Sequence, residues 1–563
     1  MIETAAAAPK VSHNEQIKAA NPTLAGTIGA TLADPNADRF SEDDTQFMKF
    51  HGIYQQDDRD KRKVAKEYIF MVRGRLPGGV VPADQYLVFD RLATDYGNKT
   101  LRITSRQGFQ FHGVVKNRLG PLMKGINDAL ATTLAACGDV NRNVMAPSTP
   151  ATSHLVERVL EDARLLSQAL LPITPSYHQI WVEGQPLNLA DADPNFVDPL
   201  YGKTYLPRKF KVAFAIPPLN DIDVLTNCLG FIAIEENGQL VGYNLCAGGG
   251  LGMSHGNKET FPRVADVIGF VKPQDIEAFA KATLTIHRDW GDRANRKHAR
   301  LKYVLEDKGA DWFREEAEKR AGIKFGPVRP FKFTKQGDLF GWHKQADGKS
   351  FLGLFVETGR IKDTPQVQLK AALRKVVEQF RTEIRLTPSQ NLIIANVASS
   401  NIEAINRVLS EHGVVVENQA SAVRGASMAC PALPTCGLAL SESERVLPSI
   451  LSRIEDVMKE IGLGGEEIII RMTGCPNGCA RPYMAEIGFV GRAPNQYQIF
   501  VGGNEGCTRL NRLFKEKVKG EDILTELRPV LSRYASERKS GERFGDWSNR
   551  VLFAEAAAAP VSA

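Results

Sequence analysis

The chain repeats itself. Residues 384–397 match residues 101–114 in register, setting Arg385 opposite Arg102, Thr387 opposite Thr104 and Gln390 opposite Gln107. Upstream, the turn that follows Arg75 has a counterpart at Gly359 and Arg360, and each precedes a helix-like stretch of similar length. A second pair of segments, Lys209 to Gly250 and Glu467 to Asn504, shares one order of strand, loop, strand, strand and glycine turn. Each unit of a duplicated chain has a face it cannot bury alone, so related halves must pack together. We therefore expect a mixed α/β (α+β) molecule in three parts, with an internal pseudo-twofold repeat and one cofactor gripped between the halves.

The copies differ in one loop. The first reads Pro218-Leu-Asn-Asp-Ile-Asp223, whereas the second carries Cys475 and Cys479. Ahead of it stand Cys430 and Cys436, and the residues from Glu444 to Arg471 read as a helix followed by a strand. That order folds the C-x5-C and C-x3-C pairs back on each other. Four gathered thiolates hold one iron–sulfur cluster or one zinc ion. Structural zinc usually spaces its pairs C-x2-4-C, so the first pair is wide for it. On spacing alone, a zinc-stapled protein with a basic face for nucleic acid stays open beside the cluster reading. Cys137, Cys228, Cys246 and Cys507 sit singly among apolar or small residues and read as buried structural cysteines.

At 563 residues the chain exceeds one core, and with 43% apolar and 24% charged residues it is ordinary globular material. No apolar run reaches the ~20 residues of a membrane span. Eight cysteines are too few for a disulfide framework and suit the reducing cytoplasm. The net charge of +6 is spread along the chain, which favours an anionic ligand or an acidic protein over nucleic acid. Neither a G-x-G-x-x-G turn nor a Walker loop is present, so electrons would arrive from another protein. The expected division is a flexible arm over 1–46, a bipartite repeat domain over 47–134 plus 342–417, a first half over 135–341, a second half carrying the cysteines over 418–553, and a disordered tail over 554–563. Arg543 to Trp547 is read as an aromatic lid.

Basic residues collect at strand ends and turns: Arg73, Arg75, Arg102, Arg106, Arg142, Lys209 and Lys211. Alternation puts Arg102, Thr104 and Arg106 on one strand face. It also puts the Lys209 and Lys211 ammonium groups on one face with Phe210 on the other. Like charges arranged this way are costly unless an anion neutralises them. A solvated basic rim is the plainer alternative.

The cysteine pairs, the duplicated arginine strand and Lys209-Phe-Lys211 together resemble the sulfite/nitrite reductase haemoprotein family, over about Phe47 to Arg550. Phe50-His-Gly-Ile-Tyr-Gln-Gln-Asp-Asp-Arg-Asp60, Arg75-Leu-Pro-Gly-Gly79 and His255-Gly-Asn-Lys258 are most similar to its NADPH-dependent assimilatory branch. The resemblance implies sirohaem and a 4Fe–4S cluster, and the six-electron reduction of sulfite to sulfide; nitrite reduction to ammonia is the alternative. It implies a flavoprotein (FAD/FMN) reductase subunit or a ferredoxin as donor, with the N-terminal arm as a docking segment. It implies that Cys430, Cys436, Cys475 and Cys479 hold the cluster and that Cys479 is also the axial ligand of the sirohaem iron. Arg75, Arg142, Lys209 and Lys211 would grip the substrate anion. Arg73, Arg102 and Arg106 would face the cofactor carboxylates, with Arg300, Lys302 and Asn396 as further cofactor contacts.

Overall fold

The computed structural model describes residues 11–150, 153–183 and 196–558. Strands β1 (Ile53–Asp57), β2 (Tyr68–Arg73), β3 (Val80–Val81), β4 (Leu101–Ile103) and β5 (Phe109–Val114) belong to the first arginine repeat. Strands β6 (Val212–Ala215), β7 (Leu229–Glu236), β8 (Gln239–Ala247) and β9 (Asp266–Val271) form the first half. The second repeat supplies β10 (Gly341–Lys344), β11 (Ser350–Leu354), β12 (Arg360–Ile361), β13 (Glu383–Leu386) and β14 (Leu392–Val397). The second half supplies β15 (Met428–Ala429), β16 (Ile470–Thr473), β17 (Ile487–Ala493), β18 (Gln496–Val501) and β19 (Arg512–Lys519).

The two repeats exchange strands. One sheet runs β1-β2-β5-β4-β12 and the other β10-β11-β14-β13-β3, so each closes on a short strand from the other repeat. Arg360 lies opposite Arg102 in one exchange, and Val80 lies opposite Arg385 in the other. Behind them pack the helices Ala83–Asp95 and Leu369–Phe380. The latter buries Leu369, Ala372, Leu373, Val376 and Val377, the spacing of one helical face. Asp90 joins the two helices by ion pairs to Lys370 (2.8 Å) and Arg374 (2.6 Å).

Each half is built alike. β6 is parallel to β7, and β16 is parallel to β17, before an antiparallel hairpin follows in each. The duplication reaches the backbone: Gln107 (φ 54°) matches Gln390 (φ 72°), Thr358 takes the left-handed place of Gly78, and Asp223 (φ 51°) matches Arg481 (φ 55°). The linker between the cysteine pairs is the helix Leu447–Glu460 followed by β16, as expected.

Three expectations change. The segment 101–113 is a hairpin rather than one strand, because Thr104 Oγ1 accepts the Arg106 and Gly108 amides and turns the chain. Arg102 and Arg106 therefore do not share a face. The N-terminal arm, from residue 11 onward, is docked: helices His13–Ala20 and Ile28–Ala33 bury Ile17 and Ile28, and Lys18 pairs with Glu15 and donates to the Leu206 carbonyl (2.8 Å). Residues 1–10 of the arm lie outside the described residues, as does the tail beyond 558. Trp547 is a core residue, fully buried against Tyr534 and Phe544, not a lid. No helix among the described residues is long and apolar enough to cross a membrane.

Candidate cofactor and anion site

Parallel pairing of β15 with β16 brings the cysteine loops together, since each loop leaves the same end of that pair. The Cys430 amide donates to the Met472 carbonyl (3.2 Å), and the Gly474 amide donates to Cys430 Sγ (3.3 Å). Asn477 Nδ2 reaches Cys475 Sγ at 3.5 Å. Burial, then the neighbouring thiols, push Cys430 and Cys436 up and Cys475 up to about 12. Cys479 is among the acting neighbours in all three cases, so the four sulfurs share one space. Such thiols ionise only beside strong positive charge, which a bound metal centre supplies. Among the described residues no three His, Cys, Asp or Glu side chains converge on a single-ion site. Four such thiols can hold one iron–sulfur cluster or one zinc ion.

Cys479 differs from the other three. It is exposed although Gly478 and Ala480 on either side are buried, so its thiol meets open space. Its charge acts on Arg73, Lys209 and Lys211. Ser105, from the arginine repeat, donates Oγ to the Cys479 carbonyl (2.7 Å).

Lys209 and Lys211 behave as their alternation requires. Phe210 is buried against His287, while both ammonium groups keep accessible surface and have no hydrogen-bond or ion-pair partner among the described residues. Burial, then Arg208 and Arg300, bring Lys209 down to about 7; burial, then Lys209, hold Lys211 well below the usual lysine range. Arg106 donates to Asn227 (2.8 Å) and to the carbonyls of Asn143 and Val212, yet its Nε is buried without a partner. Burial brings it down to about 9, and Arg142 adds to the effect. Arg142 donates Nε to the Gly138 carbonyl (2.7 Å). Arg300 reaches Cys228 Sγ (3.5 Å) and leaves its Nε buried and unpaired. So many close cations in a low-dielectric space require a large anion with several carboxylates, or a small one beside it. Sirohaem fits this donor set.

Other expected contacts lie elsewhere. Arg75 is buried, with its guanidinium held by Ser167 and by the Ala135 and Asn141 carbonyls. The strand ends at Arg73, so alternation fails beyond it, and Arg73 is the arginine that feels Cys479. Arg102 is fully buried against Glu444 and the Ala429 carbonyl, its hairpin having turned it away from Arg106. Lys302 is enclosed by the carbonyls of Gly250, Gly252 and Phe261. Asn396 sits on β14 with Gln345 and Glu383, away from the other candidates, at the bulge matching Gly113. Sequence reading missed Arg208, which adjoins Lys209 and has no hydrogen-bond or ion-pair partner among the described residues; its place before the lysine pair was the available signal. It also missed the buried Asp223, which pairs with Arg471 and with Arg481 (2.8 Å).

Comparison with known proteins identifies the family. The family model described as nitrite and sulphite reductase 4Fe-4S domain matches residues 161–325. The one described as nitrite/sulfite reductase ferredoxin-like half domain matches 62–129 and 343–412, the two exchanged repeats. The chain belongs to the nitrite and sulfite reductase family. It is 46% identical over 553 residues to a Staphylococcus saprophyticus protein named sulfite reductase (NADPH) hemoprotein beta-component, covering 97% of this chain and 96% of that one. Proteins of the same name from Geobacillus kaustophilus and Myxococcus xanthus are each 47% identical, covering 95% and 96% of both chains. The structure of the Mycobacterium tuberculosis NirA protein shares the fold, with a TM-score of 0.79 over 96% of each chain at 22% identity.

Proposed function

We propose that this chain reduces sulfite to sulfide with six electrons, at a sirohaem coupled to a 4Fe–4S cluster. The observation that carries the reading is Cys479, whose charge bears both on the other three thiols and on Arg73, Lys209 and Lys211. Cys430, Cys436, Cys475 and Cys479 would hold the cluster, with Cys479 also bound to the sirohaem iron. Sirohaem, when bound, supplies an iron that delivers electrons to the sulfur of the anion. Lys209, Lys211, Arg142 and Arg73 draw in the sulfite oxygens and stabilise charge as S–O bonds break. Arg73 takes the part expected of Arg75. Lys209, brought near neutrality, is suited to hand over protons as the oxygens leave as water. Arg106 and Arg300 would face the cofactor's carboxylates. Electrons come from a flavoprotein subunit or a ferredoxin, and the reducing cytoplasm suits eight unpaired thiols.

The test is spectroscopic and kinetic. Purified protein should show sirohaem bands, and Cys479→Ser should lose them together with iron and labile sulfide. Lys211→Ala should keep the spectrum while sulfite turnover falls by about 10²-fold or more. Near-normal turnover would remove Lys211 from the site. Rates on sulfite and nitrite, with each donor, separate the two reductions.

A further inference from the structure

Glu444 has no part in the reaction above, yet two arginines hold it. Its oxygens accept from Arg102 Nε (2.9 Å), Arg360 Nε (2.7 Å) and Arg360 Nη2 (3.0 Å). These arginines face each other across the β4–β12 exchange, so each repeat contributes one. The clamp then reaches the cysteine loop by two routes. Arg102 Nη2 donates to the carbonyl of Ala429 (2.7 Å), the residue before Cys430, and the Glu444 amide donates to the Cys430 carbonyl (3.1 Å). Gln390 Oε1 accepts the Ala429 amide (3.2 Å), adding a third tether from the second repeat.

The pseudo-symmetric mate shows what is particular here. Arg385, partner of Arg102 in the duplication, donates to Glu157 (2.9 Å) and to the Ser148 carbonyl (3.3 Å) in the first half. Glu157 is 66% exposed and carries one arginine from the repeats, whereas Glu444 is 14% exposed and carries two. The half without cysteines has a solvent-screened tie; the half with them has a buried one.

We propose that Glu444 is a positioning residue for the cluster: it fixes the Cys430 loop to both repeats and offsets part of the positive charge of two arginines that would otherwise raise the cluster's reduction potential. The inference rests on Cys430 being a cluster ligand. Positive charge favours the reduced, more negative cluster, so uncompensated arginines shift its potential upward. In the full-length holoprotein, E444Q should raise the cluster midpoint measured by EPR-monitored redox titration. R360Q, which leaves the carboxylate less compensated, should lower it. R385Q, which cuts the tie in the first half, should leave it unchanged. A midpoint unmoved in both E444Q and R360Q, or moved equally in R385Q, overturns the proposal; if E444Q fails to load cluster, the sign in R360Q decides. C430S that kept its iron and sulfide would instead defeat the ligand assignment beneath it.

Discussion

Arg73 and Arg75 stand two residues apart and meet opposite environments. Arg73 feels the charge of Cys479 and donates to Cys137 Sγ (3.1 Å); Arg75 is enclosed by Ser167 and backbone carbonyls. Arg73→Gln should therefore lower sulfite turnover with cofactor content kept, whereas Arg75→Gln should act on stability. Each buried carbonyl it strands costs about 1–3 kcal/mol, measurable by chemical denaturation. Alternation along a strand would have put both on one face, and only the strand's end at Arg73 separates them. Asp221 is a different kind of residue: both its oxygens are buried without a hydrogen-bond partner among the described residues. Burial, then Asp338, raises it to about 7. A carboxyl raised on folding keeps its proton between roughly pH 4 and 7, where the unfolded chain has released it, so stability falls as pH rises through that window. Asp221→Asn should raise Tm at pH 8, and the gain should shrink towards pH 4. No gain at pH 8 would count against a charged, unsatisfied Asp221.

At the scale of elements, the amphipathic helices and the cysteine linker were legible because their apolar spacing is local. The hairpin at Thr104 was not, since a threonine hydroxyl competing for backbone amides leaves no periodic trace. The strand exchange was invisible for another reason: β3 and β12 are two residues each, too short to carry a pattern. Arg543 to Trp547 misled because a lid and a core aromatic have the same composition. Its burial gives Trp547→Ala an expected cost of about 3–5 kcal/mol, read as a shifted denaturation midpoint. A surface lid would lose almost nothing.

Over the whole molecule, duplication set the plan and divergence set the chemistry. Four cysteines and the Lys209-Phe-Lys211 pair announced the two sides of the site from sequence alone. The meeting of those sides through Cys479 needed three-dimensional placement, because the residues come from different halves. At the pseudo-axis the matching left-handed positions, Asp223 and Arg481, became an ion pair that also holds Arg471. Asp223→Ala strands two buried guanidinium groups and should cost about 3–5 kcal/mol. A loss under 1 kcal/mol would mean that solvent reaches the axis.

Exchanged strands also set a timetable. Val81 pairs with Ile384, so the second sheet cannot complete until some three hundred further residues have been made. At about 5–20 residues per second, that leaves β3 waiting roughly 15–60 s on the ribosome. Over a similar, somewhat shorter wait the nascent first repeat presents an unfinished edge on β4 that its own sequel, β12, is shaped to close.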